Sequence, residues 1–307
     1  MLLPAHPSAH DADVAAAILP AATNAFSGAV ALSGSEGYPR RVPDTRTHRG
    51  LAPQDERLFE AQWLDILREA TSDLGWLLTK GYAARSAVEL VGNRYGLEAR
   101  QRLAVARCAC SKHNVLGRMS RRIDPATLAG QELWLDGLNI LTTLEVALSG
   151  GIVLVGQDGC CRDVAGLHRH YRKVDETLPA LRLVGAWTGH WRVGKCRWWL
   201  DQPVSNSGRL KRLILDTSAE AGWPWEAELV YSPDSVLKQT AHPVASSDSV
   251  ILDRCQRWIN LDRLIITQEL LPAKLVDLSM PSAAEQVASP TDLGNSVPDE
   301  RRERELH

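Results

Sequence analysis

Three aspartates in this 307-residue chain close runs of strand length: Asp136 after Leu133-Trp134-Leu135, Asp201 after Cys196-Arg197-Trp198-Trp199-Leu200, and Asp248 after Val244-Ala245-Ser246-Ser247. Parallel strands of one sheet bring their C-terminal ends to a single edge, and open α/β sheets bind ligands there. Carboxylates far apart in sequence can then converge. Gathered carboxylates repel one another, and a hard divalent cation relieves the repulsion. Magnesium and manganese favour oxygen ligands and support hydrolysis of phosphodiesters. Asp136, Asp201 and Asp248 are therefore the expected ligands and catalytic acids, with Asn139 and Ser247 as orienting partners. Glu145, Asp158 and Asp253 are further candidate ligands. Each aspartate also has a plain reading: Asp136-Gly137 as a turn, Asp201 before Gln202-Pro203 as a loop residue, and Asp248 as a helix cap.

Two other segments have the composition of an anion site. Gly156-Gln157-Asp158-Gly159-Cys160-Cys161-Arg162-Asp163 follows the apolar run Ile152–Val155, but it lacks the lysine and spacing of a P-loop. Asn206-Ser207-Gly208-Arg209, with Lys211 and Arg212 behind it, reads as a helix start. There Asn206 and Arg209 could position a substrate phosphate, and ordinary capping is the alternative. His168 and His170 stand two apart, so they do not share a helix face as a zinc pair would. The cysteines Cys108, Cys110, Cys160, Cys161, Cys196 and Cys255 lack zinc-knuckle spacing and read as reduced thiols. Trp198, Trp199, Trp223 and Trp225 lie beside expected strands and read as core.

The elements that must hold these residues follow from periodicity. Strands are expected at Leu133–Leu138, Ile152–Val155, Cys196–Leu200, Ala227–Tyr231, Pro243–Ser246 and Leu264–Ile266. Helices are expected near 160–175, 207–222 and 249–259. This alternation implies a mostly parallel sheet flanked by helices, a Rossmann-like three-layer α/β fold over residues 130–275. Before it, residues 53–125 read as a small all-helical domain. Leu58 to Leu78 forms one helix that Gly81 stops, a second is capped by Ser86, and a third spans Glu98 to Cys108. Helices around a glycine turn fit helix-turn-helix geometry and fit a plain bundle equally. Arg85, Arg94, Arg100, Arg102, Arg107, Lys112, Arg118, Arg121 and Arg122 make this region basic. Such residues either grip a phosphate backbone or pair with acids elsewhere.

The whole-chain charge of −2 favours neither an acidic nor a basic partner. Residues 1–52 are rich in Ala, Ser, Pro and Gly, with basic residues Arg40, Arg41, Arg46 and Arg49, and read as a disordered leader. Residues 279–307 read as a disordered, solvated tail. The N-terminus is a poor secretory signal and no apolar run reaches membrane-spanning length, so a cytoplasmic protein without a membrane partner is expected.

Asp136-Gly137-Leu138-Asn139 after an apolar run, with Ser246-Ser247-Asp248-Ser249 heading a later helix, resembles the PIN/NYN-like nucleases. That resemblance implies a PIN-like fold and magnesium- or manganese-dependent cleavage of RNA. Asp136, Asn139 and Asp248 match its motifs and Asp201 is a looser match. The mid-domain acid of those enzymes is unassigned here, with Glu145, Asp158, Asp163 and Glu176 as candidates. Without that acid, the alternative is a catalytically inactive regulator that binds RNA or protein. A small-molecule phosphatase is disfavoured, because Asp136-Gly137-Leu138-Asn139 lacks the second aspartate of a common phosphatase class. The span 58–267 is also similar to an uncharacterised prokaryotic family that pairs a helical N-terminal domain with a C-terminal one. The likeness lies in Asp73-Leu74-Gly75-Trp76-Leu77-Leu78, Gly81-Tyr82, Arg107-Cys108-Ala109-Cys110-Ser111, Leu148-Ser149-Gly150-Gly151 and Pro203-Val204-Ser205-Asn206-Ser207-Gly208-Arg209.

Overall fold

The computed structural model describes residues 48–164 and 171–279. Nearly all of the expected leader and tail, and both His168 and His170, lie outside the described residues.

Among the described residues, eight strands form two sheets: β1 (Glu132–Asp136), β2 (Ile152–Val155), β3 (Cys161–Asp163), β4 (Lys195–Asp201), β5 (Trp225–Val230), β6 (Val244–Ala245), β7 (Trp258–Ile259) and β8 (Lys274–Asp277). The main sheet has the order β5-β4-β1-β6-β7, and every pairing in it is parallel. β4 shows why these residues make a strand. Cys196, Trp198 and Leu200 are buried, while Lys195, Arg197, Trp199 and Asp201 alternate with them and are partly exposed, the period-2 signature of a sheet with two unlike faces. The buried face packs on α6 (Gly137–Leu148), α7 (Thr177–His190), α8 (Ser207–Ala221) and α11 (Leu261–Glu269) in one core that includes Leu133, Leu135, Trp198, Leu200, Ile214 and Ile265. The other face is covered by the short helices α9 (Pro233–Leu237) and α10 (Ser249–Leu252), around Val244, Trp258, Trp134 and Trp199.

Among the described residues, five α-helices precede the main sheet: α1 (Asp55–Leu58), α2 (Ala61–Thr79), α3 (Ala84–Arg94), α4 (Ala99–Cys108) and α5 (Lys112–Arg121). Their core is not made of helices alone. Leu67, Leu74, Val91 and Val105 pack with Ile152 and Leu154 of β2 and with Val276 of β8, so the second sheet, of order β3-β2-β8, belongs to this layer.

Several sequence expectations change. The first strand ends at Asp136, and Gly137 already opens α6. A Cβ on Gly137 would lie 2.5 Å from Leu200 Cδ2 and 3.0 Å from the Trp199 carbonyl oxygen, so glycine lets this helix start directly against β4. The strand at Ile152–Val155 forms as read, but in the small sheet. Leu264–Ile266 is helical, within α11, whose Leu261, Ile265 and Ile266 are buried at helical spacing. Residues 161–163 are a strand rather than the start of a helix, α7 was not anticipated, and the expected helix over 249–259 resolves into α10 and β7. Ser86 does not cap α3, which begins at Ala84. All six cysteines are free and buried. Among the described residues, no helix is long and apolar enough to cross a membrane.

Candidate functional site

Asp136 ends the central strand β1 and is 2% exposed. It sits at the N-cap position of α6, yet its side chain makes no capping hydrogen bond. Instead, Asn139 Nδ2, one turn into α6, donates to Asp136 Oδ2 at 2.7 Å, and Ser246 Oγ donates to the same oxygen at 2.6 Å. The carboxylate is thus held by two neutral donors. Burial pushes its pKa up to about 8; the Ser246 and Asn139 hydrogen bonds resist, and the charges of Asp248 and Asp201 add to the rise.

The three expected acids stand along the C-terminal edge of the main sheet. Asp136 is paired in register with Trp199, so Asp201 stands two residues further along the neighbouring strand. Asp248 follows β6, the strand on the other side of β1. Burial raises Asp201 to about 6, helped by the charges of Asp234 and Asp248. Burial also raises Asp248 to about 6, with Asp234 adding to the shift, while the Val250 and Ile251 amides and Arg162 oppose it. The capping role considered for Asp248 is real: its Oδ1 accepts from Val250 N at 2.6 Å.

Two acids of this edge were not anticipated. Asp234 lies in the first turn of α9, just beyond β5, and its charge acts on both Asp201 and Asp248. Ser232-Pro233-Asp234 reads in sequence as a capped helix start, which Ser232 indeed provides. Asp262 opens α11 after β7 and is 3% exposed. Its Oδ1 is buried without a hydrogen-bond partner, and burial, then the charge of Asp136, push it well above the usual carboxylate range. Read across the sheet order, every strand of the main sheet is followed by an acid at this edge: Asp234, Asp201, Asp136, Asp248 and Asp262.

The remaining candidates are engaged elsewhere. Ser246, not Ser247, orients Asp136; Ser247 contributes its carbonyl, which accepts from Arg162 Nε at 2.9 Å. Asp158 accepts from both terminal nitrogens of Arg162 and from Arg118. Burial alone would raise Asp158, but Arg162 and then Arg118 outweigh it and hold the carboxyl below the usual range. Asp158 is therefore an ion-pair residue, not an expected ligand. Asp253 is likewise taken up by Arg118 and by Asn114 Nδ2 at 2.8 Å. Glu145, two turns along α6 from Asp136, accepts from Tyr171 and Thr177 and pairs with Arg49; burial raises it to about 7 against the pull of Arg49. Asp163 pairs with Arg107, and Glu176 with His48. None of the four mid-domain acids considered belongs to the edge.

The same contacts account for much of the basic character of the helical region. Arg100 pairs with Asp55, Arg107 with Asp163, Arg118 with Asp158 and Asp253, and Arg94 with Asp73. Arg121 donates to the Leu252 and Asp253 carbonyls. The internal-pairing reading thus holds for Arg94, Arg100, Arg107 and Arg118.

Asn206 and Arg209 lie apart from the carboxylates, at the start of α8. They line a cleft of about 460 Å³ with Tyr171, Lys173 and Arg212. A cleft of about 530 Å³ around Trp187, Trp191 and Pro125 lies at the opposite end of the sheet. Among the described residues, no three His, Cys, Asp or Glu side chains are already gathered tightly enough to hold a metal ion by themselves.

Residues 125–264 match a family described as a domain of unknown function (DUF5616), and residues 66–121 match one described as a protein of unknown function (DUF434). The first covers the main sheet with its acidic edge; the second covers most of the preceding helices. An uncharacterised protein of Methanocaldococcus jannaschii is 27% identical over 186 residues, spanning 61% of this chain and 88% of that protein. No solved structure matches the chain. The two family matches and the archaeal relative together support an uncharacterised family for this protein.

Proposed function

We propose that the carboxylate edge is the site of a metal-dependent phosphodiester hydrolase acting on RNA, with a PIN-like arrangement of acids. The observation that carries the reading is the placement of Asp201, Asp136 and Asp248 at the ends of three adjacent parallel strands, each raised by burial and by neighbouring carboxylates. A set of oxygen donors raised on balance by burial and by one another, with the Arg162 charge acting against the rise at Asp248, fits a hard divalent cation. Asp136, Asp201 and Asp248 would hold magnesium or manganese, and Asp234 extends the acidic surface toward β5. Magnesium is commonly held through one or two carboxylates, with waters and substrate phosphates completing its shell, so a closed protein cage is not required. Bound there, the cation would supply Lewis acidity for hydrolysis. Asn139 and Ser246 would keep Asp136 in one orientation through their bonds to Oδ2.

The test is cleavage of a labelled single-stranded RNA with manganese or magnesium at pH 8.5. Asp136→Asn is expected to lower the rate by at least about 100-fold, and Asp201→Asn and Asp234→Asn by smaller factors. A wild-type protein that cuts no RNA with either metal overturns the hydrolase reading. If that protein still binds the RNA, the binding regulator takes its place.

A further inference from the structure

We propose that the cleft between residues 171–173 and the first turns of α8 is a binding track for the phosphodiester backbone of single-stranded RNA. The inference rests on the reading of the carboxylate edge as a nuclease site and specifies where its substrate lies.

The cleft is built rather than incidental. Tyr171 N donates to the Ser205 carbonyl at 3.1 Å, and Asn206 Nδ2 donates back to the Tyr171 carbonyl at 2.9 Å. Asn206 is held in the left-handed region at φ 70°, a conformation asparagine tolerates better than most residues. The Tyr171 ring is buried, its hydroxyl donating to Glu145 at 2.6 Å. These bonds fix the two walls relative to each other.

Charge selects the occupant. Asn206 at the N-cap of α8 and Arg209 and Arg212, three and six residues on, line the cleft together with Lys173. Lys173, Arg209 and Arg212 are exposed and have no ion-pair partner among the described residues. In the helical region, by contrast, Arg94, Arg100, Arg107 and Arg118 are spent on acids of the protein. Asp216 is the one acid of the lining, at the far end of the helix face. Leu210 and Leu213 supply an apolar floor. A volume of about 460 Å³ suits a nucleotide or two of one strand. Position ties the cleft to the acids: α8 begins six residues after Asp201, so the connecting chain spans at most about 22 Å. The α8 wall of the cleft thus starts from the same C-terminal end of β4 that carries Asp201.

The experiment measures fluorescence anisotropy of a labelled oligouridylate as a function of salt. The full chain carries Asp136→Asn, and EDTA replaces divalent metal, so that cleavage plays no part. Each phosphate contact on a single strand contributes about −0.7 to the slope of log K against log salt. Arg209→Ala with Arg212→Ala is expected to reduce the slope by about 1.4 and to weaken binding about 25-fold at 0.1 M salt relative to 1 M. All of these side chains are exposed, and circular dichroism checks that the variants remain folded. Arg85→Ala with Lys112→Ala, on the exposed surface of the helical region, is expected to change neither quantity. The proposal is overturned if the parent chain binds no RNA, if the cleft variant keeps the parental slope, or if the helical-region variant loses as much. Binding in the cleft by a protein that never cleaves RNA would sink the hydrolase reading and leave the track standing.

Discussion

Asp136 and Asp158 are both almost fully buried, at 2% and 6% exposure, yet burial has opposite outcomes for them. Asp158 faces the guanidiniums of Arg162 and Arg118, which stabilise its charge. Asp136 receives hydrogen bonds from an amide and a hydroxyl and feels only like charges. One carboxylate has its countercharge within the protein and the other does not, which is how a structural acid is distinguished from a candidate site acid. The raised pKa makes Asp136 a stability term. Its folded value, about 8, lies above the unfolded value near 3.8, so the native state binds the extra proton between those limits and stability falls as pH rises through that window. Asp136→Asn removes this loss. It is expected to raise Tm by at least about 3 °C at pH 8.5, with the gain shrinking toward pH 4. Millimolar manganese is expected to raise the Tm of the wild type, but not of the variant, at pH 8.5. Equal Tm values at pH 8.5 would show that Asp136 is not an uncompensated acid.

Between elements, one ion network supports the loop that completes the site. Arg118 of α5 and Arg162 of β3 meet on Asp158, and Arg162 also holds the Ser247 carbonyl. The segment Ser246–Asp248, which orients Asp136 and carries its neighbour, is thereby tied to the helical layer. Gly156 permits this crowding, since a Cβ there would lie 2.6 Å from Arg162 Nη1. Removing Asp158 would leave two guanidiniums buried without their shared partner. Asp158→Ala is expected to cost about 3–5 kcal/mol, read by urea denaturation at neutral pH. The contribution of Asp158 is present above its unfolded pKa and lost as pH falls through its depressed folded value, so the difference between variant and wild type should shrink in strong acid. A cost under about 1 kcal/mol would show that the network is not structural.

For the whole molecule, the helical region and the α/β layer are joined through shared apolar packing as well as through ions. Ile152, Leu154 and Val276, all on the small sheet, lie in the same core as Leu67, Leu74 and Val105. β8 comes from the far end of the described chain and pairs in parallel with β2. Residues 53–125 expressed alone would expose the apolar surface that this sheet covers. They are expected to give a non-cooperative thermal melt and to bind a hydrophobic dye, as a state without fixed packing does. A sharp, cooperative melt of the isolated segment would show that it folds without the sheet.

The sequence by itself determined much of the alternation of strand and helix, the end of β4, the extent of α8 and the positions of three of the edge acids. Those are local properties: periodicity shows which face of a segment is buried, and a polar residue closing an apolar run marks its end. It did not determine partners. Ser246, the residue directly after β6, reaches Asp136 rather than Ser247, a choice of one residue that depends on how the chain leaves the strand. Asp234 fell in no element read from the sequence and Asp262 lay beside a run read as a strand; both became edge acids only when the sheet order was fixed. Asp158, Asp253 and Glu145 read as free acids until folding brought Arg118, Arg162 and Arg49 against them across long sequence separations. Tertiary structure decided which carboxylates are neutralised within the protein and which remain without a countercharge. Coulomb energy depends on distance in space and on burial, and neither is written along the chain.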